Sequence, residues 1–199
     1  GDLNHTSSND SKEYSIAKAT STTVVTCDAG PFTYSGSAIM PCNVLVTGAG
    51  SLSQTPTPTY ANNINAGTAT ASYTFAGDGN HTGSSDSKNF TIDKASSATV
   101  VTFEAGPYVY RGSAFTATAV ATGAGSLSTP VAVVYSGDCT NVTVSNGCTA
   151  TANFAGDTNH NGSGDLKSIT ILKSDATVVV NGFTGTYDGQ PHEIGRAHV

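Results

Sequence analysis

One five-residue signature, met three times, does most to restrict what this chain can fold into. Gly1-Asp2-Leu3-Asn4-His5 returns as Gly77-Asp78-Gly79-Asn80-His81 and as Gly156-Asp157-Thr158-Asn159-His160, at spacings of 76 and 79 residues. Each copy leads through a Ser-rich stretch into a short alternating run, at Lys12 to Ile16, Lys88 to Ile92 and Lys167 to Ile171. Lys18, Lys94 and Lys173 then open a Ser/Thr/Val segment. A second signature lies elsewhere in each unit. Ala29 to Ala38 matches Ala105 to Ala114, both built around Tyr-x-Gly-Ser-Ala, and a third copy starts at Tyr187-Asp188-Gly189. Thr47 to Ser53 returns unchanged as Thr122 to Ser128. Self-similarity at a fixed period marks a chain of stacked or strung units. The expected organisation is the tail of one repeat (1–16), two complete repeats (17–93 and 94–172) and the head of a fourth (173–192).

Within a repeat the apolar residues alternate. Val25 and Cys27, then Cys42, Val44 and Val46, then Ala71, Tyr73 and Phe75, then Phe90 and Ile92 each take every second place. Leu45 is an exception. This is the period of half-buried strands, and no run of ten or more residues has the helical period. Short strands broken by Gly, Pro and Asn turns predict an all-β fold of tandem sandwiches. A unit of this size buries little apolar surface, so covalent links would help it.

Composition narrows the setting. Only 11% of residues are charged, and 8 basic against 14 acidic residues leave a net charge of -6. That sign disfavours nucleic acid and anionic membranes as partners. No run of 18 apolar residues is present, so no membrane insertion is expected of this stretch. No signal peptide is present, and because the chain opens within a repeat, the address signal is expected outside it. Thr, Ser, Asn and Gly carry most of the polarity, as in secreted or surface repeat proteins.

The units resemble bacterial immunoglobulin-like repeats, the Big and MBG types, found in large surface and adhesin-like proteins. The residues carrying the resemblance are the Tyr-x-Gly-Ser-Ala turn at Tyr34 and Tyr110, Thr-Gly-Ala-Gly, Phe75 to His81 with Phe154 to His160, and the closing Phe-Thr-Ile run. It covers about residues 1–192. It implies immunoglobulin-like sandwiches strung along a bacterial cell-surface or extracellular protein, serving as spacers or adhesive stalks. It supplies no catalytic residues.

The four cysteines fall into two pairs. Adding the spacing of 76 to Cys27 and Cys42 lands on Phe103 and Thr118, so both are absent together from the next repeat. Leu52 to Phe75 is four residues shorter than Leu127 to Phe154, and Cys139 and Cys148 bracket that longer loop. The expected disulfides are Cys27–Cys42 and Cys139–Cys148, which imply an oxidising compartment. Unpaired structural thiols are the alternative. Zinc is disfavoured because no Cys-x-x-Cys or close His-x-x-x-His occurs.

The Gly-Asp-x-Asn-His loop offers the densest polar cluster. Asp78, Asn80 and His81, or Asp157, Asn159 and His160, carry oxygen and imidazole donors for a metal ion. The further acidic ligands of a calcium loop are missing. Asp and Asn also bond their own backbone in turns, and the turn is the expected role. No Gly-x-Ser-x-Gly elbow is present, and a catalytic site is not needed in every repeat, so neither an enzyme nor a cofactor is expected. Tyr34, Tyr110 and Tyr187, with Gly36, Gly112 and Gly189, are expected to pack at a strand start with the hydroxyl on backbone, as in a tyrosine corner. A binding stack is the alternative. Pro56 and Pro58 predict an edge strand or loop, since proline cannot donate to a ladder. An exposed edge could also recruit a partner strand. Asn-x-Ser/Thr sequons such as Asn80-His81-Thr82 and Asn141-Val142-Thr143 arise by chance in so Asn- and Thr-rich a chain.

The last seven residues, Glu193 to Val199, break the repeat. They back-translate as GAG ATC GGA AGA GCA CAC GTC, which reads as a common short-read sequencing adapter. The expectation is an assembly artefact on a metagenomic fragment whose natural sequence continues past residue 192. The expected partners are neighbouring repeats of the same chain, with an extracellular glycan or protein as ligand if the module is adhesive.

Overall fold

The computed structural model describes residues 2–179 and 184–191. The tail from Glu193 to Val199, and His192 before it, lie outside the described residues. The chain forms two compact units. One holds everything up to Ser96 together with Gly123–Ser126 and Gly156–Asn161. The other holds Ser97–Thr122, Leu127–Ala155 and the chain from Gly162 onward.

Among the described residues the regular structure is strand, with two single-turn 3-10 segments, Ala49–Ser51 and Ala124–Ser126, and no α-helix. In the first unit β1 (Ser21–Cys27), β3 (Cys42–Gly48) and β4 (Leu52–Gln54) form one sheet in the order β1-β3-β4. The other, in the order β2-β7-β6-β5, is built from β2 (Phe32–Thr33), β5 (Thr59–Ala61), β6 (Gly67–Phe75) and β7 (Ser84–Asp93). Pro56 and Pro58 lie between β4 and β5, so they join an edge strand of one sheet to an edge strand of the other. No ladder amide is needed there, which is why proline is tolerated.

The alternation read from the sequence is the alternation of burial. Val25, Cys42, Val44 and Val46 from one sheet meet Ala69, Ala71, Phe75, Phe90 and Ile92 from the other in a single core. Leu45 stands on the opposite face of β3 and is 43% exposed. The second unit repeats this plan. Sheet β10-β9-β8 comprises β8 (Ser97–Phe103), β9 (Ala117–Gly123) and β10 (Leu127–Pro130). Sheet β11-β12-β13 comprises β11 (Val133–Gly137), β12 (Cys148–Phe154) and β13 (Ser163–Ile169). Its core joins Val101, Phe103, Phe115 and Ala119 to Cys148, Ala150, Ala152, Ile169 and Ile171.

Both disulfides are present, Cys27–Cys42 and Cys139–Cys148. Cys27 and Cys42 are direct register partners on β1 and β3. The placing of Thr118 opposite Cys42 needs correction by one residue. β3 and β9 both end on the shared Thr-Gly, at Gly48 and Gly123. The Tyr60 hydroxyl bonds the backbone of Cys42 and the Tyr135 hydroxyl that of Ala117. Ala117 is therefore the equivalent of Cys42, and the first unit has one extra residue between Ser37 and Cys42.

The second unit closes the same corner without a covalent link. Phe103 stands where Cys27 does, and Tyr108 packs edge-on against both Phe103 and Phe115, with ring centroids 6.1 and 5.4 Å apart. Arg111 lies 4.0 Å over the Phe115 ring and bonds both Glu104 oxygens, at 3.1 and 2.7 Å. Edge-to-face rings and a cation over an aromatic face are each attractive. Glu104 also accepts the Thr116 amide at 2.7 Å.

The alternating run at Lys12 to Ile16 forms no strand, and the turn at Tyr187 to Gly189 carries no regular structure; Tyr14, Ile16 and Tyr187 are 87, 87 and 94% exposed.

Candidate functional site

The Gly-Asp-x-Asn-His loop sits between β6 and β7 and is built from its aspartate outward. Asp78 Oδ1 accepts the Asn80 and His81 amides at 2.8 and 2.7 Å, which fixes the turn. His81 Nδ1 meets both Asp78 oxygens at 2.9 Å, and His81 Nε2 meets the Ala49 carbonyl at 2.9 Å. A carboxylate and a carbonyl can only accept, so making both sets of bonds needs a proton on each ring nitrogen, which is the imidazolium form. The Ala49 carbonyl and the Asp78 carboxylate accordingly hold the His81 pKa above its ordinary 6.5. The His81 side chain and the Asn80 amide hold the Asp78 carboxyl below its ordinary 3.8.

The third copy, at Gly156, has the same geometry. Asp157 accepts the Asn159 and His160 amides at 2.7 Å. His160 Nδ1 lies 2.9 and 3.0 Å from the two Asp157 oxygens, and Nε2 lies 2.9 Å from the Ala124 carbonyl. In both pairs the imidazole is buried and the carboxylate is about half exposed. The turn itself is local. In the exposed first copy, Asp2 still accepts the Asn4 and His5 amides at 2.9 Å and meets His5 Nδ1 at 2.8 Å.

The loop clamps three segments. Ala19 donates to the Asn80 carbonyl and accepts from the Thr82 amide, both at 2.8 Å, and Lys18 Nζ reaches the Asp78 carbonyl at 2.5 Å. Lys94, Ala95, Asp157, Asn159 and Asn161 repeat the pattern. The Lys-Ala entry to each repeat is thus tied down by a turn some 60 residues later in the chain. The Thr-Gly-Ala-Gly motif supplies the third segment. A Cβ built on Gly48 or Gly123 would lie 3.0 Å from the Cδ2 of its histidine, so the first glycine makes room for the ring. The second glycine, at Gly50 or Gly125, has φ near +60° and turns the chain so that the Ala carbonyl faces Nε2.

Two further observations complete the site within the first unit. The Tyr34 ring meets the His160 ring edge-on, with centroids 5.3 Å apart. Asn159 accepts the Ala66 amide at 2.9 Å through Oδ1 and donates to Asn65 Oδ1 at 3.1 Å. The backbone role expected of Tyr34 and Tyr110 hydroxyls falls instead to Tyr60 and Tyr135, whose hydroxyls both accept from and donate to one strand's backbone. Tyr110 is 42% exposed, and Gly112 and Gly189 keep positive φ like Gly36.

The histidine and aspartate atoms that would ligate a metal are engaged with each other and with backbone. Among the described residues no three His, Cys, Asp or Glu side chains gather in metal-binding reach.

A second recurring cluster was not singled out in the sequence. Ser21 Oγ donates to the Thr82 carbonyl, Thr23 Oγ1 bonds Ser84, and the Val25 amide donates to Asp86 Oδ2 at 2.7 Å. Ser97, Thr99 and Val101 make matching bonds to Ser163 and Asp165. Side chains, rather than a backbone ladder, tie β1 to β7 and β8 to β13. The signal was available, because Asp10, Asp86 and Asp165 keep the same spacing as the histidines.

Comparison with models of known protein families, with curated proteins and with solved structures finds no match.

Proposed function

We propose that this chain is a run of spacer units from a bacterial secreted or cell-surface protein, of the immunoglobulin-like kind its motifs resemble. The observation that carries this reading is the fate of the recurring polar cluster. In both buried copies of the loop the Asp–His pair is spent on the backbone of its own fold. The two disulfides fit an oxidising environment outside the cytoplasm. In such a chain the number of units sets reach, and each unit needs only its own small core and its neighbours.

A ligand-binding adhesin module would present the same outer patch on successive units. Across the outer face of the first unit, register partners Thr59, Ser72 and Ser87 form a polar row. The matching row in the second unit is Val134, Thr151 and Leu166, with Val134 69% and Leu166 63% exposed. The patch does not recur, which favours the spacer. Glycan-array and cell-binding assays on the full chain test this. The expected result is no saturable binding, and specific binding with a Kd of about 1 μM or tighter would overturn it.

A further inference from the structure

The Tyr-x-Gly turn and the Gly–His pair fit together as plug and socket, and the molecule holds one filled example. Inside the first compact unit, Tyr34 and Gly36 sit against Gly125 and His160. A Cβ built on Gly36 would lie 2.5 Å from Gly125 Cα, and one built on Gly125 would overlap the Tyr34 hydroxyl. The two glycine backbones therefore touch, with the tyrosine ring closing over the histidine.

Each half of this device also occurs uncovered. Gly50 matches Gly125, with φ of +64° against +61°, and His81 is bracketed as His160 is. Yet a Cβ built on Gly50 meets nothing within 4 Å. A groove lined by Ile16, Ala17, Gly50, Asn80 and His81 lies open there. Gly112 matches Gly36, with φ of +77° against +84°, and a Cβ on it also meets nothing within 4 Å. Tyr110 beside it is 42% exposed. Among the described residues the chain thus carries one free socket and two exposed Tyr-x-Gly turns, Tyr110 to Gly112 and Tyr187 to Gly189, of which only the first runs on into serine as Tyr34 to Ser37 does.

We propose that the socket at Gly50, Asn80 and His81 receives a Tyr-x-Gly-Ser turn from another unit of this type, which in a solution of this chain is Tyr110 to Ser113 of a second copy. Such a contact is heterologous, since socket and plug are different surfaces. The filled example is made within one chain, where the local concentration of a tethered partner is of the order of millimolar. A contact that is filled at that concentration needs a Kd of about 1 mM or tighter. The pairing holds for an adhesive module as well as for a spacer.

Amide NMR of the full chain, followed from about 0.05 to about 2 mM, tests it. Concentration-dependent shifts are expected at Gly50, Asn80 and His81 and at Tyr110 to Gly112, rising together. Tyr110→Ala combined with Tyr187→Ala, which removes both exposed turns, should abolish them. The labelled double variant mixed with unlabelled native chain should regain the shifts at Gly50, Asn80 and His81 only, because its socket is intact. Gly50→Asn places a side chain that tolerates positive φ in the empty socket, keeps the fold and should also abolish association. Shifts that are absent throughout, that survive in either variant alone, or that fall on other residues would overturn the pairing.

Discussion

Breaking the Cys139–Cys148 bond by the double substitution Cys139→Ala and Cys148→Ala should destabilise the second unit by an amount set by the loop it closes. The bond spans a sequence separation of 9, against 15 for Cys27–Cys42. Treated as a restraint on the unfolded chain, these separations correspond to about 2.6 and about 3 kcal/mol. Packing adds little at position 148. The first unit carries Ala69 at the equivalent place, and both residues are fully buried. A unit of this size has a total stability of about 4–12 kcal/mol, so the loss is a large share of it. The assay is guanidinium denaturation, with hydrogen exchange of the β12 and β13 amides separating the second unit from the first. The expected result is a loss of about 2–3 kcal/mol confined to β8–β13. A loss under about 1 kcal/mol at unchanged m-value, or an equal loss in β1–β7, would refute the account of the loop as a restraint on the unfolded chain.

Other outcomes follow from particular contacts. His81 has a raised pKa, so its stabilisation is complete below about 6.5 and is lost as pH rises through the higher folded value. Urea denaturation should show the first unit less stable at pH 9 than at pH 6, and Asp78→Asn should flatten that slope. Phe115 is 2% exposed, and Phe115→Ala should cost about 3–5 kcal/mol in the second unit by chemical denaturation. Met40→Ala, at a 67% exposed neighbour of the matching site, should be close to neutral by the same measurement. Tyr60→Phe removes a hydroxyl that accepts from and donates to the Cys42 backbone, and should cost about 1 kcal/mol, read from the thermal midpoint of the first unit.

Legibility in the sequence followed the range of the interaction. The alternating strands at Val25, Val44, Phe90 and Ile92 were plain because a period of two is a local property and the core simply imposes it. The Asp78 turn was plain for the same reason, since aspartate binding its own backbone needs no distant partner. The disulfides were found because the repeat offers an internal alignment. The target of the histidine was not legible. His81 binds a carbonyl 32 residues away, and nothing in Ala49 itself marks it. The shift of one residue at Cys42 was hidden for a related reason: a single extra residue after Ser37 changes the spacing inside a repeat that looks constant from outside. Tyr34 was placed on a strand's backbone by analogy, whereas contact with Gly125 and His160 depends on folded segments far along the chain.

The two disulfides have a consequence for how such a chain oxidises. Each bond is short-range and each falls at a different place in its unit. In the unfolded chain the chance of two residues meeting falls as about the three-halves power of their separation. Cys139 lies roughly 100 residues from Cys42, so it meets Cys148 about thirty to forty times more often. Chain statistics alone then sort correct pairs from scrambled ones before any strand has formed. An array of many near-identical units gains pairing fidelity from this placement, without a folding helper to choose among its thiols.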